Sequence, residues 1–172
     1  MQQLDATQEC LKKGQVIAAL CLLYSLIDVT ASLERLSGEG TRSAFVRWVD
    51  EHMLKGRSLP YSALDLYGAR CGVLHTFTPD SDLCREGKAR KIVYAWGSAP
   101  AEDLADTARI IGRDEIVIHI EELLHSFRRG LEAYLDGVIH DPERLRKTEA
   151  HAELWFTSLD RQVVDEFLRI FR

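Results

Sequence analysis

Arg70 and His75 are the residues whose types and spacing best suit chemistry. Only small and apolar residues, Cys-Gly-Val-Leu, separate them. A histidine can take or give a proton near neutral pH, and an arginine presents a planar fork of donors to a negative charge. Five helical positions correspond to about 7.5 Å along the axis and about 140° around it, so the arginine must reach toward the helix end to meet the histidine. The pair indicates an anion site with proton transfer at the end of a helix.

The spacing alone is weak evidence, because the chain contains it three times. The other two pairs are Arg47 with His52 and Arg146 with His151. Charged residues lie within both of these pairs, as expected of solvated helix faces. The alternative interpretation of Arg70 is a capping or salt-bridging residue, for example with Asp65, beside a histidine that favours the helix dipole.

Residues 64–77, with Arg-x4-His followed by Thr76 and Phe77, resemble the signature of the HEPN superfamily of small helical domains. The resemblance in helical layout covers residues 4–138. It implies that Arg70 and His75 are ribonuclease residues, that cleavage needs no metal, and that a homodimer assembles the site at its interface. It also implies roles in toxin-antitoxin systems or defence, and therefore an antitoxin-like protein partner. The chain departs from the family at Cys71, where a polar residue is frequent, and at Phe77, where some members have tyrosine.

In such a ribonuclease the 2′-hydroxyl of RNA attacks the adjacent phosphate. One proton leaves the nucleophile and another reaches the leaving oxygen, and two copies of His75 in a dimer could divide these tasks. Arg70 would stabilise the extra negative charge of the transition state. This scheme requires no metal and no other cofactor.

Two other classes of function stay open at this stage. The first is a non-catalytic helical dimer that binds a protein or a small anionic ligand between its subunits, with Arg70 as the anion clamp. The second is a structural scaffold in which Arg70 and His75 make only local hydrogen bonds. If the protein is an enzyme, both side chains should lie in one solvent-reachable cleft. If it is a scaffold, they should lie apart or cap a helix.

A basic run follows at residues 85–91, and it is a second candidate for RNA phosphates. Its cations are Arg85, Lys88, Arg90 and Lys91. The alternative is a solvated loop or helix face, because no aromatic residues are interleaved with these cations. Tyr94 and Trp96 come next, as a stacking pair for bases or as core residues.

Metal and nucleotide motifs are weak or missing in the sequence. Glu121 and Glu122 precede His125 without a partner motif, and His119 and His140 have no ligand spacing. No Walker, Rossmann or Gly-x-Ser-x-Gly pattern occurs. We therefore predict no metal.

Composition indicates one globular domain over residues 1–172. The chain is 46% hydrophobic and 28% charged with a net charge of −5, which argues against a surface built for nucleic acid throughout but leaves a local basic patch possible. We expect no DNA partner. The four cysteines are expected to be reduced and mostly buried. The N-terminal residues lack a signal-peptide pattern, and the apolar run 16–29 reads as too short and interrupted for a membrane span. These features predict a cytoplasmic protein without membrane association.

Apolar spacing predicts a mainly α fold, a helical bundle with a possible small two-stranded β appendage. The predicted helices cover residues 4–36, 41–56, 61–75, 100–111, 121–138, 142–156 and 158–171. Residues 92–97 form a predicted strand, and residues 115–120 are compatible with strand or helix. Gly68 and Gly72 fall inside the helix of the Arg70 motif, which suggests a close backbone approach there, such as that of a second subunit.

Overall fold

The computed structural model describes residues 2–153 and residue 169. It confirms a mainly α fold with a small two-stranded sheet. The helices are α1 (Gln2–Lys12), α2 (Val16–Leu33), α3 (Thr41–Trp48), α4 (Ala63–Thr76), α5 (Asp82–Arg85), α6 (Ala101–Ile110), α7 (Ile120–Ile139) and α8 (Pro142–Ala152). The strands are β1 (Ile92–Ala95) and β2 (Ile116–His119).

The predicted helix over residues 4–36 is wrong in one respect, because it is two helices. Gly14 has φ of 69°, a conformation that L side chains rarely adopt, and it separates α1 from α2. Lys12 in the last turn of α1 and the glycine after it form an ordinary helix stop. The apolar periodicity continues on both sides of the break, which is why the spacing alone suggested one helix.

The predicted helix after Thr41 is confirmed, and it has an irregular second half. α3 continues directly into a π-helical segment, Val49–Leu54, before the chain turns at Gly56. The predicted apolar stripe is fully buried: Phe45, Trp48, Val49 and Met53. These side chains share one hydrophobic core with Leu23, Tyr24 and Ile27 of α2 and with Phe127 and Tyr134 of α7.

Helix α4 carries the Arg70 motif and begins where the sequence predicts. Ser62 is its N-cap, in a capping box in which Ser62 accepts from the Asp65 backbone N–H and Asp65 accepts from that of Ser62. The helix ends at Phe77, which adopts the left-handed conformation with φ of 53°. Glycine is the usual residue at such a position.

The two glycines of α4 do face a close approach, but the approaching segment belongs to the same chain. A Cβ on Gly72 would lie 2.4 Å from the Thr78 carbonyl oxygen, and a Cβ on Gly68 would lie 3.0 Å from the Ala89 Cβ. The suggestion that this glycine face meets a second subunit is therefore wrong.

The β appendage is a β-α-β unit. Residues 116–119 form a strand, and β2 pairs with β1 in parallel, with Ile92 opposite Ile116. α6 makes the crossover that a parallel pair requires. Ile92, Ile116 and Ile118 are buried and join the helical core, so the sheet is anchored to the bundle.

The C-terminal helices agree with the predictions as far as they are described. α7 matches the predicted helix over residues 121–138, and Asp141 caps α8 by accepting from the backbone N–H groups of Glu143 and Arg144. The described helix α8 ends at Ala152, and residues 154–156 of the predicted helix lie outside the described residues. The predicted helix over residues 158–171 lies outside the described residues, except for residue 169.

Helix α2 is strongly apolar, although fewer than half of its residues are buried in the protein. Its 18 residues have a mean hydropathy of 2.1, which suffices for a membrane span by length and composition, and 44% of them are buried in the protein. The core helix of a soluble protein meets the same criteria. The expectation that the apolar run is too short and interrupted for a membrane span is therefore wrong, because the helix continues to Leu33. Length and composition alone do not place α2 in a membrane.

Candidate functional site

Arg70 and His75 meet at the end of α4. The Arg70 Nη1 lies 3.1 Å from the His75 Nε2, although the two Cα atoms are five positions apart on the helix. The long arginine side chain reaches toward the helix end, as the sequence argument required. His75 is exposed and Arg70 is half-buried, so the pair lies at the surface with a solvated histidine.

A third residue, Asp28 of α2, fixes the arginine. Its Oδ2 accepts from the Arg70 Nε at 2.8 Å and lies 2.6 Å from Nη2. The two side chains are only 15% and 17% exposed, so solvent screens the pair weakly. The contact uses Nε and Nη2 of the guanidinium and leaves Nη1 directed at His75. The sequence suggested Asp65 as the salt-bridge partner, and that suggestion is wrong.

Tyr67 and Cys71 complete the surroundings of the arginine. The Arg70 guanidinium carbon lies 5.8 Å from the centroid of the Tyr67 ring, within the range of a cation–π contact. Burial lowers the pKa of Arg70, but the hydrogen bond and charge of Asp28 raise it by more, and Cys71 adds to the rise. The net pKa lies above the ordinary arginine value, so Arg70 stays protonated and forms a lasting ion pair with Asp28.

The basic run does not form an open cluster of cations. Arg85 contacts Asp80 and Asp82, and Lys88 lies 2.7 Å from Glu86. These partners neutralise much of the charge that was predicted to hold phosphates.

Arg90 of the same run has a structural contact. Its Nη2 donates to the Asp65 Oδ2 at 2.9 Å, and its backbone N–H donates to Oδ1 at 2.7 Å. Asp65 is 4% exposed and also caps α4. Arg90 therefore ties the loop before β1 to the start of α4. Lys91, the last cation of the run, is half-buried, and it lines a shallow surface depression that Asp114 also lines.

The aromatic residues after the run have separate environments. Tyr94 is largely buried, and its hydroxyl contacts that of Tyr24. Burial is the main reason that the pKa of Tyr94 lies well above its ordinary value. Trp96 is 47% exposed. The pair therefore does not form one stacking platform, and only Trp96 presents an open surface.

An apolar groove of about 270 Å³ lies next to the end of α4. Its walls are mainly hydrophobic and include Val16, Leu20, Val73, Phe77, Ile92 and Trp96. Val73 and Phe77 are each two residues from His75. The groove and the histidine therefore share one helix terminus.

Sequence reasoning missed the most elaborate polar cluster in the described part of the chain. His52 Nε2 lies 3.1 Å from the Glu34 Oε2, and the Arg144 guanidinium contacts the other oxygen of the same carboxylate. His52 also packs edge-on against Tyr134, with ring centroids 5.4 Å apart. The prediction of a solvated face for Arg47 and His52 is wrong, since their side chains are only 25% and 11% exposed.

This cluster is internally neutralised and ties α8 to α2. Burial raises the pKa of Glu34, but hydrogen bonds to His52 and Arg144 lower it by more, so the net pKa is below the ordinary value. Gly137 leaves room for the arginine, because a Cβ there would lie 2.7 Å from the Arg144 Nη1. His151 of the third Arg-x4-His pair is also half-buried, and its Nδ1 lies 2.7 Å from the Leu33 carbonyl oxygen. The contacts of Arg144 and His151 therefore connect α8 to the end of α2.

A cation at this cluster would compete with arginine. Glu34, Glu51 and His52 place one ligand atom each within 4.8 Å of one another. However, Arg144 contacts Glu34, and the Arg47 Nη1 lies 3.6 Å from the Glu51 Oε2. The carboxylates therefore already have positive partners, and we assign no metal to them.

Comparison with known proteins identifies no relative whose site could be compared with this one. No protein-family model, no curated protein and no solved structure matches the chain.

Proposed function

We propose that this protein is a metal-independent endoribonuclease of the HEPN type that acts as a homodimer. The observation that carries the proposal is the contact between the Arg70 Nη1 and the His75 Nε2, with Arg70 held by Asp28. A guanidinium whose Nη1 does not contact its carboxylate partner meets an exposed imidazole at one point. These are the two kinds of group that phosphate-ester cleavage by a 2′-hydroxyl needs.

The proposed reaction is an internal transesterification. His75 of one copy takes the proton of the 2′-hydroxyl, the bond from the 2′-oxygen to phosphorus forms, and the bond from phosphorus to the 5′-oxygen breaks. His75 of the second copy gives its proton to the leaving 5′-oxygen. Arg70 donates hydrogen bonds to the phosphoryl oxygens as their negative charge grows. The products are a 2′,3′-cyclic phosphate and a 5′-hydroxyl end.

The exposed face of α2 supports a second copy as the partner. Val29 of this helix is 39% exposed, Ala18 on the same side is also exposed, and Asp28 is its one charged residue. An apolar face of this kind is typical of protein–protein interfaces. Because Asp28 also holds Arg70, an interface between two α2 helices would bring two Arg70–His75 pairs toward each other, as a symmetric dimer requires.

Cleavage of labelled unstructured RNA and tRNA in EDTA tests the proposal. Wild type should cleave, and Arg70→Ala and His75→Ala should each lose activity. The matched controls are Arg146→Ala and His140→Ala, which remove an exposed arginine and an exposed histidine after the end of α7. The controls should cleave like wild type.

The alternative is the non-catalytic dimer that binds a small anion or a protein. The fixed orientation of Arg70 favours it, because Nη1, which does not contact Asp28, can donate to an anion or a protein carbonyl without any proton transfer. Absence of wild-type cleavage, or cleavage that survives both Arg70→Ala and His75→Ala, would contradict the ribonuclease and favour this alternative.

A further inference from the structure

We propose that the apolar groove beside His75 is a subsite for one unpaired nucleobase of RNA, held between Phe77 and Trp96. This inference rests on the proposed function, because it names the class of substrate that the same site takes. It also makes separate predictions about binding.

The first argument is the exposure of the two aromatic side chains. Phe77 is 66% exposed and Trp96 is 47% exposed, and both line the groove. Folding gains little from aromatic area that stays in water. Exposed aromatic faces are the common platform for single-stranded nucleic acid, because every base has a π-face to stack on them.

The second argument is the backbone of Phe77. It is the only non-glycine residue with positive φ in the described part of the chain, at 53°. A bulky residue in the left-handed region is unfavourable, and glycine serves a helix terminus of this type better. An aromatic side chain that is strained and also exposed contributes little to the fold. The Phe77 ring does form part of the groove wall.

The third argument is position. Phe77, which lines the groove, follows His75 by two residues at the end of α4. A base held at the Phe77 end of the groove would have its ribose and phosphate near the end of α4, where Arg70 and His75 meet. The apolar groove and the cation beside it match the two parts of a nucleotide, a flat ring and an anion.

The subsite defines the substrate class as single-stranded RNA or an unpaired loop. A base in an A-form duplex is stacked and paired, so it cannot enter a groove of about 270 Å³ beside a helix end. Stacking does not read base edges, so the subsite should accept all four bases with modest preferences.

Binding without cleavage tests the subsite. The His75→Ala protein is titrated against fluorescein-labelled hexauridylate and against the matching abasic hexamer, with anisotropy as the readout. Adding Phe77→Ala or Trp96→Ala should weaken binding of hexauridylate about tenfold and leave the abasic hexamer nearly unchanged. Adding Ile110→Ala, an exposed apolar residue on α6, is the control and should change neither affinity.

A second variant separates binding from folding. Phe77→Gly removes the ring and relieves the left-handed strain, so it should raise the urea midpoint while it weakens binding of hexauridylate to the same extent as Phe77→Ala. A loss of base affinity with a gain in stability is not the result of a damaged fold.

Three outcomes would contradict the subsite, and a fourth would contradict only the ribonuclease. The subsite is overturned if the parent does not bind hexauridylate, or if both aromatic variants bind it like the parent. It is also overturned if these variants sediment as monomers while the parent is a dimer, because a second copy would then occupy the groove. Base-dependent binding by a wild type that cleaves no RNA would overturn the ribonuclease and leave the subsite standing.

Discussion

The carboxylate of Asp28 on α2 holds the guanidinium of Arg70 on α4, 42 positions away in sequence. The contact occupies Nε and Nη2 and directs Nη1 to the His75 Nε2, 3.1 Å away. Asp28 is therefore a positioning residue of the proposed site, and it acts through the arginine.

Asp28→Asn keeps the shape of the side chain and removes its charge. We expect kcat for RNA cleavage to fall about 10- to 100-fold, because Arg70 loses its fixed orientation. KM should change little, and the free energy of unfolding should fall by about 1–3 kcal/mol. Steady-state kinetics at a temperature where both proteins are folded, with urea unfolding, measures both effects.

The control for this variant is Asp136→Asn, at an aspartate of α7 whose side chain is 76% exposed. It should leave kcat unchanged. A kcat for Asp28→Asn equal to that of the control would show that Arg70 does not need its carboxylate partner.

Val29→Lys places a charge on the exposed apolar face of α2. If this face is the dimer interface, burying an unpaired lysine there is unfavourable, and the protein should sediment as a monomer and lose RNA cleavage. The control is Ile139→Lys, at a residue of α7 that is 63% exposed. A variant that stays dimeric, or a wild type that is monomeric, would contradict an interface on α2.

Gly72→Ala should destabilise the protein. The new Cβ would lie 2.4 Å from the Thr78 carbonyl oxygen, so the loop after α4 must shift. We expect the free energy of unfolding to fall by about 1–3 kcal/mol. Gly40→Ala, where no atom lies within 4 Å, should change it by less than about 1 kcal/mol. An unchanged stability with an altered oligomeric state would instead indicate that this face contacts a second copy.

The Asp65 contacts should be visible in the acid stability of the protein. Burial raises the pKa of Asp65, but hydrogen bonds from Ser62 and Arg90 lower it by more, so the folded pKa lies below the ordinary value. The unfolded chain then binds the proton more readily. The stability from Asp65 is therefore fully present above an unfolded pKa of about 3.9 and is lost as pH falls through the folded pKa.

Asp65→Asn tests this dependence. The variant should unfold at lower urea than wild type at pH 7, and the difference should shrink as pH falls from about 5 toward 3. Glu102→Gln, at an exposed residue of α6, is the control and should show little difference at either pH. A difference between Asp65→Asn and wild type that is constant over this pH range would contradict the assignment.

The helices and the strand at residues 92–95 could be predicted because apolar spacing and stop residues are local. The capping residue Ser62 and the buried stripe from Phe45 to Met53 are examples. The break at Gly14 was missed because the apolar repeat continues across it. Its local signal, a glycine after basic residues, was present.

The site was only partly predictable, because contacts between different helices leave no pattern in the local sequence. Arg70 and His75 lie on one helix, so their spacing was informative. Asp28 could not be identified, because its partner lies on another helix and a single aspartate in an apolar run has no local signature. His52 was placed on a solvated face because Asp50 and Glu51 precede it, whereas Glu34 and Arg144 from other helices enclose it.

The chemical ends of the RNA products test the central claim most directly. Wild-type protein is incubated with a defined single-stranded RNA in EDTA, and mass spectrometry identifies the new termini. The proposed mechanism predicts 2′,3′-cyclic phosphate and 5′-hydroxyl ends, and none of them with His75→Ala. New 3′-hydroxyl and 5′-phosphate ends, or cyclic phosphate that persists in His75→Ala, would contradict the assignment of Arg70 and His75 as a metal-independent ribonuclease site.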